Sequence, residues 1–195
     1  MNKNQQSRIT TKEKIKDAAL KLFTENGVRA TTTKSIAEYA NVSEPLIFRY
    51  FISKEGLVIE VLKQGYKQAG ELAKQLFHVA DDTSYLMYTI AMPLLLVDKD
   101  PDFWKMQYNI IALNEIANKH HQQFLTPSKH RIIHIFKSNG IEDYENEALL
   151  FWILIDGLWK SYAAKQLSKS NMESIIEKIQ SSYKHKLKPY DKVFI

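Results

Sequence analysis

The feature that most constrains this chain is how little interrupts it: six glycines and five prolines in 195 residues. Gly breaks helices through its backbone entropy, and Pro through its missing N–H. Between these few breaks the chain is rich in Lys, Glu, Leu, Ile and Ala, with apolar residues recurring every three or four positions. Such a pattern predicts an all-α fold.

Composition narrows the class further. The hydrophobic fraction, 45%, is too high for a disordered chain. There are no cysteines, so no disulfide framework or thiolate metal site is available, which suits a reducing cytoplasm. The polar stretch Met1 to Thr10 is no secretory signal, and the apolar run Ile90 to Val97, which contains Pro93, is far too short to span a bilayer. The net charge of +5 is unevenly placed. Residues 1–56 hold ten basic and six acidic side chains, so most of the excess lies there. That is the footprint of a segment that meets a polyanion.

The same segment has a legible plan. Thr10 with Glu13 fits a capping box, and Ile15, Ala18, Ala19, Leu22 and Phe23 then line one helical face. Gly27 suits the left-handed position that closes this helix. The run Thr31-Thr32-Thr33 caps a second helix with the short apolar face Ile36, Ala37 and Ala40. Asn41 turns the chain. Ser43 caps a third helix with Glu44 and Pro45 in its first turn, and Ile47, Phe48 and Phe51 are expected to be its inner stripe. Ser53 starts a fourth helix. Two short helices joined by a tight turn make a helix-turn-helix.

The stretch Gly27 to Leu57, GVRATTTKSIAEYANVSEPLIFRYFISKEGL, resembles the DNA-binding signature of TetR/AcrR regulators. The matching positions are Gly27, Thr32, Ile36-Ala37, Ala40, Val42-Ser43, Ile47, Phe48, Arg49, Phe51, Ser53-Lys54-Glu55 and Leu57. The departures are Asn41 for the turn glycine, Leu46 for a small residue, Phe48 for a tyrosine that often touches a phosphate, and Tyr50 for a histidine. The resemblance implies an N-terminal three-helix helix-turn-helix domain, residues 1–56. It further implies a C-terminal helical ligand-binding and dimerisation domain, residues 57–195.

A recognition helix offers its N-terminal outward residues to base edges in the major groove. Ser43, Glu44, Pro45 and Leu46 hold those places, with Arg49 and Tyr50 further along. Arg49 suits guanine or phosphate, while Pro45 and Leu46 suit a thymine methyl. Thr32, Thr33 and Lys34 stand at a helix start, where hydroxyls and N–H groups suit phosphate. Lys54 is a second phosphate candidate.

From Leu57 the chain is expected to be helical throughout. One helix ends near Phe77-His78, and Asp81-Asp82-Thr83 starts the next, which is bent or broken at Pro93. Another runs from Pro101 to about Asn118. A further one surrounds Pro127, and two longer segments cover about 143–167 and 171–186. The tail from Lys188 is expected to be loose. Large apolar residues surround the segment Ala148 to Ala164, so a subunit interface is expected there, with Leu149, Trp152, Ile153, Asp156, Trp159 and Lys160 as candidates. Met87, Met92, Trp104, Gln107, Tyr108 and Ile111 are candidates for an adaptable ligand pocket. Plain core packing explains such apolar stripes equally well.

The expected function is therefore a cytoplasmic, homodimeric regulator that binds double-stranded operator DNA. Most simply it is a repressor released by a small apolar or amphipathic effector. A regulator without an effector is the alternative, and a helical enzyme a remote one. No nucleophile elbow, phosphate loop or HExxH motif supports catalysis. No cofactor, metal or membrane partner is expected; His130 and His134, spaced i, i+4, lack a third ligand at convincing spacing.

Overall fold

The computed structural model of the chain describes residues 3–77, 81–112 and 114–187. Among them are nine α-helices and no strand, the all-α fold that the shortage of breakers dictates. In chain order these are α1 (Lys3–Asn26), α2 (Thr33–Ala40), α3 (Glu44–Phe51), α4 (Lys54–Phe77), α5 (Asp82–Lys99), α6 (Pro101–Ile110), α7 (Glu115–Ser138), α8 (Tyr144–Ala163) and α9 (Lys169–Lys186). They form two compact units, Met1–Ala69 with Asp100–Gln122, and Gly70–Lys99 with Gln123–Ile195.

The first unit is built on the expected face of α1. Ile15, Ala18, Ala19 and Phe23 are buried, as are Ile36, Ile47, Phe51, Leu57 and Leu62. Gly27, at φ 80°, closes α1 with its N–H on the Phe23 carbonyl at 3.0 Å. The helix start expected at Thr10 is absent. α1 already runs from Lys3, because the polar residues before Thr10 include no breaker, and the N–H groups that a Thr10 cap would serve have partners in the preceding turn.

This unit also reaches past residue 56. Phe103, Trp104 and Met106 of α6 are fully buried in it. The Thr24 hydroxyl donates to the Asp102 carbonyl at 2.9 Å, and Gly65 brings α4 so near α6 that a Cβ there would stand 2.2 Å from the Phe103 ring. Close backbone approach of this kind is what glycine permits. α6 ends at Ile110 instead of near Asn118. Asn114 accepts the Ala117 N–H at 2.9 Å and so caps a new helix, α7.

Three rings of the second unit form a cluster. Phe136 stacks on Tyr183 with centroids 5.6 Å apart, and Phe151 meets both edge-on. α5 was expected to be bent or broken at Pro93 and is not broken there; Pro93 is buried with Ile90, Met92, Leu96 and Val97, and that burial outweighs one lost hydrogen bond. α7 likewise continues through Pro127.

Two carboxylates fasten α9. Asp98 of α5 accepts the Tyr162 hydroxyl at 2.6 Å and Lys169 Nζ at 2.7 Å. Glu147 of α8 accepts the Tyr183 hydroxyl at 2.9 Å and Lys186 Nζ at 2.6 Å. Burial and the Asp98 carboxylate push the Tyr162 phenol up to about 12. The ends expected for α4 at His78 and for the loose tail from Lys188 lie outside the described residues.

Candidate functional site

The helix-turn-helix is formed by α2, Asn41 to Ser43, and α3. Thr32 is the N-cap of α2. Its hydroxyl accepts the Ser35 N–H at 3.0 Å, while the Ser35 hydroxyl accepts the Thr32 N–H at 3.2 Å. This reciprocal box leaves Thr32 occupied with its own helix. α2 ends at Asn41, in the left-handed region at φ 54°, ψ 51°, with the Val42 N–H on the Ala37 carbonyl at 2.9 Å. The turn expected from the tolerance of Asn for positive φ is the one observed.

Ser43 stands at the N-cap of α3, but its side chain makes no capping bond. Glu44 and Pro45 fill the first turn as expected. Glu44 has a task that the sequence did not disclose: its carboxylate accepts the Thr33 hydroxyl at 2.5 Å and so braces the start of α3 against the start of α2. Thr33 and Glu44 are thus half-buried and tied to each other, whereas Lys34 is exposed beside them. Lys54 is similarly engaged. Its Nζ lies 3.0 Å from the Val28 carbonyl and 3.1 Å from the Thr31 carbonyl, where it closes the loop between α1 and α2.

α3 has two opposite faces. Ile47 and Phe51 are buried, while Leu46 and Tyr50 are half-covered. Pro45, Phe48, Arg49 and Ile52, spaced i, i+3, i+4 and i+7, lie along the exposed side. Phe48 was expected in the core and is instead 46% exposed. The reason is angular: Ile47 and Phe51 are one turn apart and fill the inner groove, which leaves Phe48 outside it. Lys12 lies over the Tyr50 ring at 5.9 Å.

The residues taken as pocket candidates do not share one unit. Met87 and Met92 belong to the second. Trp104, Gln107, Tyr108 and Ile111 belong to the first, where Trp104, Gln107 and Tyr108 are buried and Ile111 is half-buried. Gln107 Nε2 donates to the Ala117 carbonyl at 3.3 Å, but its buried Oε1 accepts nothing. One turn along α7, His121 Nδ1 is 3.1 Å from the Tyr66 hydroxyl, with Trp104 and Tyr108 edge-on to its ring. This Tyr66–His121 pair had no sequence signal.

α8 sorts the interface candidates. Trp152 and Trp159 are 8% and 1% exposed and belong to the core of the second unit. Leu149, Leu150, Ile153 and Leu154 face outward, each more than 40% exposed, with Lys160 exposed and Asp156 half-buried further along. Among the described residues, no helix is long and apolar enough to cross a membrane.

Comparison with known proteins converges on the helix-turn-helix. The family described as "Bacterial regulatory proteins, tetR family" matches residues 15–61. The HTH-type transcriptional regulator YvkB of Bacillus subtilis is 51% identical over 65 residues, which are 33% of this chain and 34% of YvkB. The match therefore spans about a third of that relative. Over the whole fold, a transcriptional regulator from Saccharomonospora viridis, solved in complex with choline, superposes with a TM-score of 0.72 at 20% identity, covering 90% of this chain and 96% of that one. FadR of Bacillus subtilis, solved with stearoyl-CoA, superposes with a TM-score of 0.69 at 18% identity, covering 87% and 95%.

Proposed function

We propose that this chain is a tetR-type cytoplasmic transcriptional repressor, not an enzyme, that grips operator DNA as a homodimer and lets go when an effector binds; the match of residues 15–61 to the tetR family supports the reading. The observation that carries the reading is the outward face of α3. A short helix, a left-handed turn at Asn41 and a second short helix leave Arg49 exposed in the middle of a free stripe. A helix so placed fits the major groove, where Arg recognises guanine or phosphate. Lys34 stands exposed at the start of α2 for a phosphate.

The outward side of α8 supports the pairing of two copies. Leu149, Leu150, Ile153 and Leu154 form an uncovered apolar stripe within the second unit. Four large apolar side chains in one row are more than a monomer surface ordinarily leaves in water. A second copy covers them and supplies a second reading helix one turn of DNA away, so the operator is palindromic.

The effector is apolar or amphipathic. Gln107 supports this: a fully buried amide whose oxygen accepts nothing costs about 1–3 kcal/mol unless a donor reaches it. The aromatic surroundings of Trp104 and Tyr108 suit an apolar body carrying such a donor. Stearoyl-CoA, the ligand of one of the two similar structures, is amphipathic, whereas choline, the ligand of the other, is a small organic cation. To release DNA, the effector must bind one conformation more tightly than the other.

The test is a mobility shift on duplexes selected from a random library by the purified protein. Arg49→Ala with Tyr50→Ala is expected to abolish the specific shift while circular dichroism stays helical. Undiminished binding by that folded variant would sink the reading. Release of the same duplex by long-chain acyl-CoA or choline separates an effector-gated repressor from one without an effector.

A further inference from the structure

The exposed stripe of α3 has an unusual chemistry for a surface that meets a polyanion. Of its four members, Pro45, Phe48 and Ile52 are apolar, and only Arg49 is charged. Ile52, at 86%, is the most exposed large hydrophobic among the described residues. Its backbone is also unfavourable. It sits at φ 69°, ψ −45°, and the Ser53 N–H closes the turn onto the Phe51 carbonyl at 2.8 Å. That is the rare, strained form of the γ-turn, and a β-branched residue is among the worst suited to it. One residue thus carries two costs, exposed apolar surface and positive φ. Strain of this kind collects where binding makes use of it.

The occupant follows from what a major groove offers. Its base edges are hydrogen-bonding groups with a single apolar exception, the C5-methyl of thymine. Residues 45 to 52 span roughly 10 Å along the helix, about three base-pair steps. Phe48 and Ile52 are both exposed, four residues apart in sequence, with Arg49 between them. We propose that Phe48 and Ile52 determine operator specificity by packing on thymine methyl groups, with Arg49 reading a guanine or phosphate between them. The assignment rests on α3 being the reading helix. It makes methyl burial, rather than phosphate pairing, the source of discrimination at the C-terminal end of that helix.

The experiment removes the methyls and nothing else. The full-length protein selects duplexes from a random thymine-containing library. The preferred duplex is then resynthesised with uracil for thymine, once within the protected site and once outside it. Affinities are read by fluorescence anisotropy at one salt concentration. Loss of each buried methyl is expected to weaken binding about four-fold, so uracil throughout a two-fold site lowers affinity at least ten-fold. Uracil outside the site changes nothing.

The double variant Phe48→Ala, Ile52→Gly removes both side chains, and the glycine relieves the turn. It is expected to bind thymine and uracil duplexes equally while remaining folded. Equal affinity of the unaltered protein for the two duplexes overturns the proposal and leaves α3 a reader of other groups. Enrichment of no duplex at all would instead remove the DNA-reading function, and this assignment with it.

Discussion

The hydroxyl of Thr33 donates to the carboxylate of Glu44, eleven residues away, and so joins the first turns of the two helices of the helix-turn-helix. The acid therefore acts within the fold, although charge alone would make it an obstacle to DNA. Glu44→Ala is expected to lower stability by about 1 kcal/mol, or roughly 2–4 °C in Tm. Operator affinity is expected to fall as α3 loses its brace, even though a negative charge has gone. Thermal denaturation and anisotropy titration read the two effects, and a rise in affinity would show that the brace is unimportant.

Ile52→Gly addresses the strained turn in the free protein. Positive φ at a β-branched residue costs on the order of 1–3 kcal/mol, and glycine returns part of this as backbone entropy. A net gain of about 1 kcal/mol is expected, seen as a higher urea midpoint with an unchanged m-value. A lower midpoint would mean that the side chain has packing partners in solution.

Gly65→Ala tests the close approach of α4 and α6. The new methyl would overlap the Phe103 ring, which is buried and has little room to move. Overpacking of this kind costs about 1–3 kcal/mol. The expected result is a Tm several degrees lower, partly restored by Phe103→Leu. An unaffected Tm would show that the ring yields freely.

Glu147 and Asp98 give the second unit an acid limit. Burial works against both charged forms, but hydrogen bonds from Lys186 and Tyr183, and from Lys169 and Tyr162, outweigh it and hold both carboxyls below their ordinary values. A carboxyl depressed in the folded state adds stability above its unfolded pKa, and that share is lost as pH falls through the folded value. In the first unit the sign is opposite. Burial raises the Asp100 carboxyl, with Asp102 and Asp17 adding to it against the Phe103 N–H, so protonation there relieves the fold. The difference between parent and Glu147→Gln isolates one contribution. The variant is expected to be about 1 kcal/mol less stable at pH 7, and the gap to close below about pH 4. A gap independent of pH would assign the loss to packing.

The stripe on α8 is tested with Leu149→Glu and Ile153→Glu together. Both side chains are exposed in the single chain, at 59% and 62%, so the substitutions leave its core intact. Light scattering is expected to report half the mass of the parent, with helical circular dichroism retained. A parent that is already monomeric at micromolar concentration would overturn the pairing.

Much of this was legible in the sequence because it depends on local rules. The all-α class follows from scarce breakers, and the turn at Asn41, a cap within Thr31 to Thr33 and the start of α3 follow from single-residue preferences. What escaped were relationships between residues distant in sequence. Lys54 reads as a phosphate ligand until the Val28 and Thr31 carbonyls are seen around its ammonium. Trp152 and Trp159 read as interface residues because every face of α8 is apolar; only packing decides which row turns inward. Phe48 was within reach, since Pro45, Phe48, Arg49 and Ile52 fall on one helical line, but hydrophobicity argued for burial and outweighed the spacing. The division of Met87 and Met92 from Trp104 and Gln107 had no signal, because it depends on how α6 is drawn into the first unit.

The link between α3 and α4 is only Ile52 and Ser53. The Ile52 N–H still bonds back to Phe48, and the Ser53 carbonyl and hydroxyl already receive the N–H groups of Leu57 and Gly56. With both N–H groups and the Ser53 carbonyl and hydroxyl engaged, the joint has little slack. Any tilt at the first turns of α4 is handed to α3 at nearly full amplitude, so the aim of Arg49 is steered by the helix that follows it in the chain.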